Sequence, residues 1–247
     1  MALEFRYSSV SRTECGHVRS VNQDALFASD SAGFWAVSDG MGGHSAGEIA
    51  SALVVDRLKT VANSVERTNS KKLVKLAIQN ANRELREQSA ANGLRLAMGA
   101  TAAVLGTHGA RYFCLWVGDT RVYRMHANSF TQLTRDHRYV QQLVDLGALR
   151  ADAVKTHPQR NILTRAVGLD GEIIVDECEG TVDAGDIFFI TTDGVTDVCS
   201  DDEIATILQC QDLTSAADQI VRRCSERGSP DNLSFVLVQV SNQSHKN

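Results

Sequence analysis

"VSDGMGGHSAGE", residues 37–48, sets four glycines, one aspartate and one histidine between an apolar run and a helical pattern. Glycine loses more backbone freedom on folding than any other residue, so such a density marks geometry that side chains would obstruct. A loop of this kind is a phosphate cradle, a metal site or a tight turn. Downstream, Ile49, Leu53, Val54, Leu58 and Val61 form one apolar stripe over 45–62, the spacing of an amphipathic helix. Ser45 followed by Glu48 is a capping box that starts it. Upstream, "FWAV" (34–37) is an apolar strand that delivers Asp39 and Gly40 to its end.

That arrangement recurs. "FCLWVGD" ends at Asp119 and "IFFITTDG" at Asp193. Further strands are predicted at 99–107, 111–118, 121–125, 130–133, 172–178, 186–192 and 233–241, and helices at 70–90, 137–150, about 201–209 and 214–226. Ser200 and Glu203 form a second capping box. Residues from 137 to 165 make an irregular insertion. The order lacks regular βαβ alternation, which argues against a parallel sheet and for an antiparallel sandwich with helices packed outside. No linker, repeat or charge block divides the chain, so one domain is expected over 1–247.

Composition narrows the class. Hydrophobic residues at 43% and charged residues at 22% describe a core-forming globular chain. A net charge of -5 disfavours nucleic-acid binding and a polybasic membrane patch. "MALEFRYSSVSRTECG" has no apolar leader segment, and the longest uncharged stretch, 96–110, is too short to span a bilayer. Six scattered cysteines without a CxxC pair read as reduced, mostly buried thiols of a cytoplasmic protein. Nothing in the chain demands more than a monomer. Histidines 17, 108, 126, 137, 157 and 245 are expected on loops or surfaces.

An Asp-Gly pair alone is an ordinary turn. Three strand-end aspartates, with Asp24 in "RSVNQDA" and Asp231 in "SPDNLS", can converge on one rim. Clustered carboxylates repel one another unless a positive charge sits among them. The chain has no equally repeated basic motif, so a cation is the economical partner. Oxygen donors suit Mg²⁺ or Mn²⁺ rather than structural zinc. A nucleotide loop fails, because no GK[ST] follows the glycines.

In order, "RSVNQDA" (19–25), "VSDGMGGHSAGEIAS" (37–51), "MGATAAV" (98–104), "VGDTRVY" (117–123), "LTRDH" (133–137), "ITTDGVTD" (190–197) and "SPDNLSFV" (229–236) resemble the motif series of metal-dependent type 2C protein serine/threonine phosphatases, the PPM family. The likeness is strongest to stand-alone bacterial members that reverse Hanks-type kinases. It implies an α+β fold: a central β-sandwich of two antiparallel sheets flanked by α-helix pairs (αββα), with the insertion as a flap beside the site. It also implies hydrolysis of phosphoserine and phosphothreonine by a metal-activated water, with two Mn²⁺ or Mg²⁺ ions per site.

By that resemblance Asp39 bridges two ions and Gly40 binds one through its carbonyl. Asp193 and Asp231 complete a shell, Asp24 holds metal-bound water, and Asp119 matches the position of a third, weaker ion. Arg19 matches the phosphate-binding arginine, whose fork bonds two oxygens at once. His44 is the candidate general acid, with a structural role at the helix start as the alternative; Gly42 and Gly43 would swing it past the site. Arg138 departs from the family pattern, which has a small residue after "DH". The implied partners are phosphoproteins, among them a Ser/Thr kinase and its targets or a secretion-system component.

Overall fold

Two antiparallel sheets lie back to back, each with a helix pair on its outer face. The structure, a computed structural model, describes residues 5–42, 46–63, 70–91, 98–169, 171–210 and 212–242. The first sheet has the order β1 (Phe5–Glu14), β11 (Leu233–Asn242), β10 (Ile187–Thr191), β7 (Arg121–His126), β8 (Ser129–Gln132). The second runs β2 (Asp24–Ser29), β3 (Phe34–Met41), β5 (Ala102–His108), β6 (Arg111–Val117), β9 (Asp176–Thr181), with the two-residue β4 (Gly99–Ala100) beside β3. Helices α1 (Ala46–Ala62) and α2 (Ser70–Ala91) cover the second sheet. Helices α5 (Asp201–Cys210) and α6 (Leu213–Glu226) cover the first.

Alternation along the strands builds three apolar layers. Trp35 and Val37 of β3 face the interior of the sandwich, against Phe188, Ile190, Val236 and Val238 of the opposite sheet. Phe34 and Ala36, their neighbours in sequence, face α1 and α2. Phe235 and Leu237 face α5 and α6. With both faces of each sheet covered, the central strands read as continuous apolar runs rather than the alternating pattern of a half-solvated sheet.

The helical stripe of α1 differs from the sequence reading. Ala46, Ala50, Val54 and Leu58 are buried, whereas Ile49 is 47% exposed. The α1 axis packs so close to β3 that small residues line the contact, which turns Ile49 outward. The Ser45–Glu48 capping box, with Gly43 and His44, lies outside the described residues. The Ser200–Glu203 box is present: the Glu203 amide donates to Ser200 Oγ at 3.3 Å and the Ser200 amide to Glu203 Oε2 at 3.1 Å. Asp212 caps α6 by accepting from the Thr214 and Ser215 amides.

Two predicted elements move. The helix expected at 137–150 is the shorter α3, Tyr139–Asp145. The Gly147 amide bonds Val144 O and the Ala148 amide bonds Leu143 O, a Schellman pair that ends it. The strand expected at 172–178 starts at Asp176, opposite Trp116. Beyond Trp116, β6 ends at Val117, so residues 172–175 have no strand to pair with; Ile173 and Val175 are still buried against the α1–α2 layer.

Candidate active site

The β2–β3 pairing sets Asp24 directly opposite Asp39. Asp119 lies just past the end of β6, Asp193 comes after β10 and opens the short α4 (Asp193–Thr196), and Asp231 precedes β11. Five aspartates from both sheets therefore meet at one end of the sandwich. Asp39, Asp119, Asp193 and Asp231 line a cavity of about 380 Å³ with Arg19, Gly40, Thr101 and, from the insertion, Asn161 and Leu163. Asp24, opposite Asp39, is not among the lining residues and accepts from Thr192 Oγ1 at 3.1 Å.

The carboxylates raise one another's pKa. Burial, then repulsion from Asp24, Asp193, Asp119 and Asp231, lifts Asp39 well above the ordinary aspartate range. Burial pushes Asp24 up to about 6 against the bonds from Ser234 and Thr192. Burial and Asp119 push Asp193 up to about 7, opposed by Arg138. A buried site that resists its own negative charge is suited to cations. The donor set of carboxylates and a backbone carbonyl fits hard divalent ions.

Gly40 is fixed by a close approach. A Cβ there would lie 2.0 Å from Gly47 O of α1 and 2.5 Å from Gln23 O, so only glycine lets helix, strand and loop converge. Gly42, at φ +146°, lies in the backbone region that favours glycine. The Asp39 backbone is held at both ends by one residue: its amide donates to Thr101 Oγ1 at 2.8 Å, and the Thr101 amide donates to its carbonyl at 2.8 Å.

Arg19 sits at the mouth in a two-toothed ion pair, Nε to Asp231 Oδ1 and Nη2 to Asp231 Oδ2, each 2.8 Å. Its loop is stapled to the start of β11 by Asn232, which accepts from the Gln23 amide and donates to the carbonyls of Cys15 and Val21. In the sequence, Asn232 is marked only by its place in "SPDNLS".

Two residues add to the sequence reading. His137, expected on a loop or surface, lies in the loop before α3 but is buried: Nδ1 accepts from the Gly118 amide at 3.0 Å, and its ring stacks on Trp116. Burial lowers its pKa and favours the neutral ring. Arg138, marked in the sequence only as a departure from the family pattern, reaches into the aspartate cluster. Its Nε donates to Asp119 Oδ2 at 2.5 Å and its Nη2 to Asp193 Oδ2 at 2.7 Å.

Among the described residues a second acidic group, Asp183, Asp186 and His126, lies at the far end of β7. Arg124 already bonds Asp186 at 2.6 Å and Asp183 at 3.1 Å. A second hollow, of about 460 Å³, lies by α2 and β9. Two of its lysines pair with its glutamates, Lys71 with Glu179 at 2.8 Å and Lys75 with Glu177 at 3.0 Å.

Residues 13–238 match the profile described as Protein phosphatase 2C. This chain belongs to the protein phosphatase 2C family. It is 31% identical over 241 residues to the serine/threonine protein phosphatase PstP of Mycobacterium tuberculosis, covering 97% of this chain and 46% of that one. The chain thus spans about half the length of that relative. Its fold is similar to PppA, a key regulatory component of T6SS in Pseudomonas aeruginosa (TM-score 0.88, 32% identity, 97% of this chain and 100% of that one). It is also similar to the catalytic domain of PstP solved with two manganese ions (TM-score 0.86, 28% identity, 96% and 100% covered). The antiparallel two-sheet fold with outer helices expected from sequence is the fold of these phosphatases. Among the described residues no helix is long and apolar enough to cross a membrane.

Proposed function

We propose that the chain is a metal-dependent protein serine/threonine phosphatase. The observation that carries this is the convergence of five aspartates at one end of the sandwich, four of them lining one cavity with Arg19, and the pKa values of Asp24, Asp39 and Asp193 raised by burial and mutual repulsion. The family and the manganese-bound neighbour support it. Asp39, Asp193, Asp231 and the Gly40 carbonyl, which line one cavity, would hold the divalent ions, with Asp39 shared between them. Bound divalent ions would supply a water acidic enough to attack phosphorus at neutral pH, and positive charge for the phosphoryl oxygens.

The chain's own residues supply the rest. Asp24, bonded by Thr192, would orient water. Arg19 bonds both oxygens of Asp231 as it would two oxygens of a phosphate. His44 is retained as the proton donor to the leaving serine or threonine oxygen. The insertion at about 137–165, which contributes Asn161 and Leu163 to the cavity wall, would select among substrates. We assign the protein to the cytoplasm, acting on phosphoproteins that include a Ser/Thr kinase and its targets. The likeness to PppA supports a secretion-system component as one such target.

The purified chain is expected to release phosphate from p-nitrophenyl phosphate and from phosphothreonine peptides with Mn²⁺ or Mg²⁺, and to stop when the ions are chelated. Full activity in EDTA would sink the metal-dependent reading.

A further inference from the structure

The place where the family resemblance puts a third ion, at Asp119, does not fit one in this chain. We infer that the Arg138 guanidinium is a built-in cation that substitutes for the third ion, so that the site holds two metals and one arginine. The inference rests on the metal reading of the aspartate cluster.

Three observations carry it. Arg138 bonds Asp119 Oδ2 at 2.5 Å and Asp193 Oδ2 at 2.7 Å, and its Nη1 lies 3.9 Å from Asp197. Its side chain is only 6% exposed and that of Asp119 8%, so neither is a surface group free to swing away. The backbone on either side is clamped: Arg138 forms an isolated β-bridge with Leu163, the Tyr139 amide bonds Ile162 O and the Thr164 amide bonds His137 O, each at 2.8 Å. A guanidinium is not deprotonated in a protein, so the positive charge that these contacts bring to Asp119 and Asp193 is permanent.

A divalent ion on Asp119 would lie ~2.0–2.2 Å from its ligating oxygen, within a few ångströms of a fixed positive charge that already holds that carboxylate. A guanidinium has five N–H donors and no acceptor, so it can neutralise Asp119 and orient Asp193 but carries no ligand water. It also ties the base of the insertion to the carboxylates, because Arg138 is both the residue before α3 and their partner.

The test counts ions rather than turnover. Mn²⁺ is titrated into the full chain by equilibrium dialysis with elemental analysis, for wild type, Asp119→Asn, Arg138→Ser and the double variant. Two ions per wild-type chain at millimolar Mn²⁺, and two in Asp119→Asn, are expected. Arg138→Ser is expected to take up a third, weak ion that the double variant loses. Three ions in wild type with one lost in Asp119→Asn would overturn the inference while leaving the metal reading intact, as would two in wild type falling to one in Asp119→Asn. No bound ion at all would overturn both. Should Arg138→Ser fail to fold, the wild-type and Asp119→Asn counts decide alone.

Discussion

Two acidic clusters sit at opposite ends of β7, and they are built differently. At one end Asp186, 1% exposed at its side chain, is met by Arg124 at 2.6 Å and His126 at 2.8 Å, and it accepts the Asp183 amide. Arg124 also reaches Asp183, so the charge there is answered within the chain. At the other end five aspartates meet two arginines, and burial and repulsion raise the pKa values of Asp24, Asp39 and Asp193. A cluster that carries its own counter-ions holds the fold together. One whose carboxylates outnumber its cations is held in readiness for ions from outside.

Substitution separates the two roles most sharply. Asp231→Asn is expected to cut phosphatase turnover by at least about a thousandfold, the scale of losing a group that acts in the transition state, with an unchanged far-UV spectrum. Asp186→Asn should leave turnover per folded molecule within about twofold, yet cost ~1–3 kcal/mol of stability in urea, because it removes the buried carboxylate that the half-buried Arg124 and His126 share. Wild-type turnover in Asp231→Asn, or wild-type stability in Asp186→Asn, breaks the comparison.

Sequence reading reached one cluster and missed the other for a physical reason. Asp39, Asp119 and Asp193 are legible because each ends an apolar run, and a strand carries its terminal residues to the rim of the sheet. Asp186 also adjoins a strand, but its partners Arg124 and His126 come from β7 by register, which no local pattern encodes. Arg138 is 19 residues from Asp119 and 55 from Asp193, so its role is visible only in the fold. Helix boundaries obey cap chemistry, as at Ser200–Glu203 and Leu146–Gly147. The first turns of α1 bury Ala46 and Ala50 and turn Ile49 outward, because Gly40 and Gly47 bring helix and strand too close there for a larger side chain.

Binding of substrate should show a smaller effect. Arg19→Ala is expected to raise KM for a phosphothreonine peptide about tenfold, the ~1.4 kcal/mol scale of one charge-assisted contact, with kcat less affected; an unchanged KM would reject its contact with phosphate. The smallest effect concerns pH. A carboxyl whose folded-state pKa is raised lends stability below its unfolded value, here near 3.8, and loses it as pH rises through the folded value, about 6 for Asp24, about 7 for Asp193 and higher than ordinary for Asp39. Metal-free Asp39→Asn should therefore melt a few °C above metal-free wild type at pH 7.5, the gap closing near pH 4 in parallel thermal scans. A variant that melts lower at pH 7.5 would mean that Asp39 is not strained by its neighbours.

The most direct measurement is phosphate release from a phosphothreonine peptide across a Mn²⁺ titration, with wild type and Asp39→Asn side by side. The account predicts turnover in wild type that rises from none in EDTA to saturation with Mn²⁺, and none above background in Asp39→Asn at any Mn²⁺ concentration. Equal turnover in the two proteins, or turnover in wild type that ignores the ion, would contradict it.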